Sequence, residues 1–461
     1  MGERRMKEKD LQNNMTEGPI TKTLLLFSLP MIAGNLLQQC YNIADTLIVG
    51  RFLGSGALAA VGSSYTLMTF LTSILLGLCM GSGAVFSIRY GEKDEERLKE
   101  SMGASFLLIL ITAVILNILV FLLLDEIMIL LQVPGEIYEM MREYLWVIFW
   151  GIPATFLYNY FASLLRAVGN SVTPLLFLAV CALLNVVLDL WFVLGLKWGV
   201  AGAASATVIS QYVSGVGLAV YTWVKTPQFR IRGKYLKPRK EMIKEIAQFS
   251  FLTSLQQSVM NLGILMVQGL VNSFGTVIMA AFAAAVKIDS FAYMPVQDFG
   301  NAFSTFVAQN FGAKKEERIR KGIQYAVVMA VIFCLVISVL VVVFARPLMM
   351  IFVKPEETEI LAAGAEYLRI EGAFYCGIGC LFLLYGFYRA VKKPGMSVVL
   401  TVISLGTRVI LAYLLSSVEQ IGVVGIWWSV PIGWALADLT GFVYYKVKKK
   451  SLFNLNLTQE R

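Results

Sequence analysis

The chain has 461 residues, of which 57% are hydrophobic and only 15% charged, with a mean hydropathy of +0.70 and a formal net charge of +9. Soluble domains carry about 25% charged residues, so these figures exclude a soluble globular protein and indicate a polytopic membrane protein. There is no histidine, and Cys40, Cys79, Cys181, Cys334, Cys376 and Cys380 all fall inside apolar runs without a Cys-x-x-Cys pair; this argues against a disulfide framework, a Cys/His zinc site and a nucleophile-and-base centre, so neither an enzyme nor a cofactor is expected.

Residues 1–23 are polar and read as a cytoplasmic N-terminal segment without a removable signal peptide. About 20 apolar residues are needed to cross a bilayer. Twelve runs meet that need: 24–50, 57–88, 103–124, 144–165, 174–196, 200–224, 247–272, 277–311, 323–345, 367–388, 397–417 and 423–445. The first contains Pro30 and a stripe, Asn35, Gln38, Asn42 and Asp45, whose spacing of three or four puts all four on one helix face. Such a stripe cannot face lipid. The fifth carries Asn185 and Asp189 at i, i+4, and the sixth a second stripe of Thr207, Gln211 and Ser214. A carboxylate at membrane depth costs roughly 3 kcal/mol, so Asp45 and Asp189 are expected to line a cavity or an ion path.

The segment 225–245 is a basic cytoplasmic linker between an N-terminal bundle, 24–224, and a C-terminal bundle, 246–446, followed by a cytoplasmic tail, 447–461. The seventh run offers only neutral polar groups, Gln257, Asn261, Gln268 and Asn272, and the tenth no acid beyond Glu371 near its outer end, so no cation site is expected in the second bundle. Lys287, Asp289, Asp298, Arg408 and Asp438 read as buried charges that pair with one another. Aromatic side chains such as Tyr158 are candidates for stacking on a cationic compound.

With an inside N-terminus, the inner connections and tails hold 31 basic residues and the outer connections 5. Both termini are therefore expected in the cytoplasm, and the net charge follows from topology and anionic lipid rather than from a nucleic-acid partner. The halves also repeat. Tyr90–Lys99 resembles Phe311–Arg320, Glu143-Tyr144-Leu145 recurs at 366–368, and Arg166-Ala167-Val168 at 389–391. Six spans per half make the repeat parallel, the arrangement that lets two bundles rock about a midplane cavity.

Leu29-Pro30 and Asp45, Gly50-Arg51 and Gly91, Arg166-Ala-Val-Gly-Asn170, Gly199-Val-Ala-Gly202 and Gln309-Asn-Phe-Gly-Ala313, in register on twelve spans, resemble the multidrug and toxic compound extrusion transporters, most closely their DinF-like branch. The resemblance covers about residues 20–446. It implies an all-α membrane protein of two pseudo-symmetric six-helix bundles in a bacterial cytoplasmic membrane, a monomer that exports organic, often cationic or amphipathic compounds by cation-coupled alternating access. It further implies that Asp45 and Asp189 bind the coupling cation, that Asn185 and Thr207 supply oxygens around it, and that Pro30 lets the first helix bend. Asn35, Gln38, Asn42, Gln211, Tyr158, Gln257 and Asn261 are the expected substrate-cavity residues. The proton is the expected coupling ion, because no third acid lies in the first half's spans; sodium held by Asp45, Asn185, Asp189 and Thr207 is the alternative, and a lipid-linked-precursor flippase of the same superfamily the other reading.

Overall fold

A computed structural model of the protein describes residues 14–130, 133–231 and 233–453. Residues 1–13 of the expected N-terminal segment and 454–461 of the expected tail lie outside the described residues. The spans are α1 (Ile20–Leu53), α2 (Ser55–Glu92), α3 (Glu95–Leu122), α4 (Gly135–Ile148 and Ile152–Ala167, joined by one 3-10 turn), α5 (Val172–Asp189), α6 (Gly199–Lys225), α7 (Lys240–Asn272), α8 (Thr276–Gly312), α9 (Glu316–Val343), α10 (Thr358–Ala373 and Tyr375–Ala390), α11 (Pro394–Ser416) and α12 (Val424–Phe453). Every expected span is found, in an all-helical fold. Among the described residues nine helices are long and apolar enough to cross a membrane, and ten when the two pieces of α10, bent by 53°, count as one. The other two are diluted, α7 by its Gln and Asn stripe and α12 by Trp and Gly.

The helices pack into two units. One holds Leu29–Ser254; the other holds Met15–Ser28 together with the chain from Leu255 onward. The division thus falls inside α1 and α7 rather than in the connections between helices.

In the first unit the start of α7 lies directly on α2. A Cβ on Gly81 would meet the Phe249 carbonyl oxygen at 2.5 Å, a Cβ on Gly77 would collide with Ser254, and the Ser82 and Ser250 hydroxyls share a hydrogen bond of 2.9 Å. Small residues allow such approach where no hydrophobic force drives helices together. The linker is tied to α3: Lys234 Nζ reaches Glu96 at 2.9 Å, and Arg239 grips both oxygens of Glu100.

In the second unit the stretch before α1 is tied to the α8–α9 turn. Arg318 donates to the carbonyls of Met15, Glu17 and Gly18, and Lys315 to that of Thr16 at 2.7 Å. Glycine again allows close packing, with a Cβ on Gly386 of α10 only 2.5 Å from the Gly300 carbonyl oxygen of α8.

Candidate functional site

On α1 the predicted stripe is half-buried at Asn35, Gln38, Asn42 and Asp45, while Ile43 and Leu47 are exposed, so the polar face does point into the protein. α5 ends its α-helical course at Asp189 and continues as a turn of π-helix, Leu190–Gly195. Single π turns interrupt helices at functional positions more often than elsewhere. Asp189 is fully buried, with no N–H or O–H donor reaching either carboxyl oxygen among the described residues, and Asp45 Oδ1 is likewise enclosed without a donor. The two carboxyls lie against each other, and among the described residues no basic side chain acts on either. A pair of carboxyls in contact holds a proton between them or is bridged by a cation, because two adjacent carboxylates in a desolvated site repel.

One turn earlier on α5, Asn185 is 1% exposed and its Nδ2 donates to Thr207 Oγ1 at 3.2 Å; that hydroxyl donates to the Ala203 carbonyl at 3.2 Å. Asn185 Oδ1 is buried without a donor. The structure therefore brings the four predicted residues together as two pairs, Asp45 with Asp189 and Asn185 with Thr207, joined through α5.

The remaining predicted residues divide. Gln38 lies beside the Tyr41 hydroxyl on the same helix face. The Gln211 amide occupies the space that a Cβ on Gly151 would need, so it packs α6 against the 3-10 turn of α4. Tyr158 donates to the Pro174 carbonyl at 3.1 Å, which makes it a tie between α4 and α5. Gln257 and Asn261 are half-buried on α7 in the other unit. Pro30 sits inside an unbroken α1, next to the division between Ser28 and Leu29.

Two groups escaped sequence reasoning. Tyr144 stands beside both Asp45 and Asp189, and its repeat partner Tyr367 stands beside Glu371. The recurring Glu-Tyr-Leu triplet was the available signal.

The second is an acid pair in the other unit. Glu371 is 1% exposed and lies against Asp289, with the Tyr375 hydroxyl next to Asp289, at the 53° break of α10. The expectation that buried charges pair with one another is met in part: the Arg408 charge acts on Asp289 and Glu371, whereas Lys287 lies over the Phe352 ring, 5.9 Å from its centre, and among the described residues no donor reaches Asp438 Oδ1. Asp289, Glu371 and Arg408 line a cavity of about 90 Å³ with Phe282, Tyr385 and Trp434.

The MatE family model matches the chain twice, at residues 30–191 and 250–414, in agreement with the internal repeat. The chain is 30% identical over 436 residues to the probable multidrug resistance protein YpnP of Bacillus subtilis, covering 94% of this chain and 96% of that protein. It is 28% identical over 446 residues to YoeA of the same organism, also a probable multidrug resistance protein, covering 95% and 96%. Among solved structures, a MOP superfamily transporter from Pyrococcus furiosus superposes with a TM-score of 0.90 at 24% identity, covering 96% of this chain and 98% of that one. With a family match over most of its length in both halves, the chain belongs to the MatE family, that of the multidrug and toxic compound extrusion transporters.

Proposed function

We propose that the protein is a cation-coupled exporter of organic, cationic or amphipathic compounds, in which the Asp45–Asp189 pair exchanges the coupling ion. The observation that carries this is a buried carboxyl pair from α1 and α5 with no basic side chain acting on it among the described residues. Holding one proton, the pair keeps a net negative charge, so a second proton or a monovalent cation entering from outside neutralises it, and its release inside restores that single negative charge. Each charge crossing the membrane contributes roughly 2.3 kcal/mol per 100 mV. The relatives' description as multidrug resistance proteins supports organic compounds as cargo. Pro30 has no N–H to donate to the Leu26 carbonyl, which eases bending of α1 as the charge changes.

We favour the proton. Sodium has one observation behind it: Asn185 Oδ1 is buried without a donor, next to the Thr207 oxygen, and an oxygen of this kind suits a cation. Counterflow in proteoliposomes separates the two. With a pH gradient alone the protein should accumulate a cationic dye, and Asp45→Asn and Asp189→Asn should each stop this while leaving dye binding intact. Drive by sodium alone would replace the proton with sodium, and full activity in both variants would remove the site. Orientation is tested separately: a reporter fused after residue 450 should be cytoplasmic, as the 31 to 5 bias in basic residues requires.

A further inference from the structure

The repeat aligns Asn185 of α5 with Arg408 of α11. The first unit thus has an acid pair and a neutral amide one turn away. The second has an acid pair and a guanidinium.

The two pairs are not copies of each other. The residues equivalent to Asp45 and Asp189 are Val267 and Ala412, whereas 57–88 holds no acid to match Asp289, and Glu371 corresponds to Ile148. An acid pair on α8 and α10 and a cation on α11 therefore occur together in one half and are both missing from the other. Arg408 lines the same cavity as the pair, its Nε meeting no acceptor among the described residues, and the space of about 90 Å³ is enough for about three water molecules. Asp289 Oδ1 and Glu371 Oε1 are buried without donors. The other polar groups at the pair and its cavity are hydroxyls, those of Tyr293, Tyr367, Tyr375, Tyr385 and Ser404; among the described residues α7 and α12 contribute Met260 and Trp434.

We infer that Arg408 is a fixed counter-cation for the Asp289–Glu371 pair, holding this cavity neutral with one proton between the carboxyls, so that it takes up no ion from the medium and ion traffic is confined to the first unit. Charge counting gives this directly. Two carboxyls sharing one proton carry a single negative charge, which Arg408 cancels; the same count at Asp45 and Asp189 leaves the negative charge open. A buried charge stripped of its partner is strongly unfavourable, whereas removing both charges together is not.

The inference rests on the protein being an ion-coupled exporter. Its test uses the full chain in proteoliposomes, with the ion gradient set against membrane potential until dye flux stops, which reports ions moved per dye. Arg408→Gln should lower the thermal midpoint and cut driven export by at least about tenfold. Arg408→Lys should retain export, and Glu371→Gln added to Arg408→Gln should restore both midpoint and export with the parent's ion-to-dye ratio. If Arg408→Gln does not fold, the double variant still decides. A double variant less stable than either single one, or an ion-to-dye ratio lowered in it, overturns the inference. A parent without any ion-driven flux would instead refute the coupling itself.

Discussion

The two buried acid pairs differ in what stands next to them. Asp45 and Asp189 are placed by α1 and by the last α-helical residue of α5, ahead of a π turn; Asp289 and Glu371 are placed by α8 and by the last turn before the break in α10. Both pairs thus sit where a helix departs from regular geometry, and both have the repeated tyrosine, Tyr144 or Tyr367, alongside. Among the described residues, a basic side chain acts on the second pair and none on the first. The two halves share the scaffold and the tyrosine but carry their acids on different helices. Fold symmetry therefore gives no licence to assume symmetric ion chemistry.

The most severe way to break this difference is to give the first unit the second unit's cation. Asn185→Arg should place a guanidinium one turn from Asp189, where it would neutralise the pair permanently. Driven export should fall by at least about a hundredfold, the scale of a misplaced buried charge. Dye counterflow with a pH or a sodium gradient measures it, alongside a thermal midpoint to confirm folding. Export near the parent level would mean that the pair does not need an exchangeable ion.

Glycine packing should behave alike in both units, so it serves as a control for the fold apart from the charges. Gly81→Ala sets a methyl against the Phe249 carbonyl, and Gly386→Ala one against the Gly300 carbonyl, each about 2.5 Å away on backbone that no rotamer change can move. Each should cost about 1–3 kcal/mol, as overpacking does, read as a lower midpoint in thermal unfolding. A midpoint unchanged in either would show that the helices there separate easily.

Much of the first site was legible because it is local. The α1 stripe and the Asn185–Asp189 spacing are periodicities within one helix, and a polar face on an apolar span has to turn inward. The packing of Asp45 against Asp189 followed once both had to avoid lipid. The second pair was not legible, since Asp289 and Glu371 lie on different helices and each looks isolated along its own. Glu371 read as peripheral because α10 begins at Thr358, earlier than its apolar run, and bends at Phe374, which puts the glutamate inside the unit. Tyr158 is a stacking candidate by residue type, and the sequence does not show that its hydroxyl bonds the Pro174 carbonyl. Spacing alone shows neither a hydroxyl's partner nor a π turn.

The finest distinction between the units is carried by the tyrosines. Tyr144 is 7% exposed and Tyr367 is 1% exposed, and each hydroxyl lies within electrostatic reach of its unit's carboxyl pair, so the same substitution to Phe removes the same group from equivalent positions of the repeat. If the first pair exchanges an ion and the second does not, the consequences diverge. Tyr144→Phe takes a polar neighbour away from the exchanging site, so the ion concentration giving half-maximal export should shift, by no more than about tenfold for one hydrogen-bonding group. Tyr367→Phe should leave that concentration unchanged and appear only as a loss of about 1 kcal/mol in stability. Half-maximal ion concentration and thermal midpoint, measured side by side on both variants, make the comparison. A shift of equal size in both variants would mean that the two pairs share the ion traffic, and the asymmetry built on Arg408 would not stand.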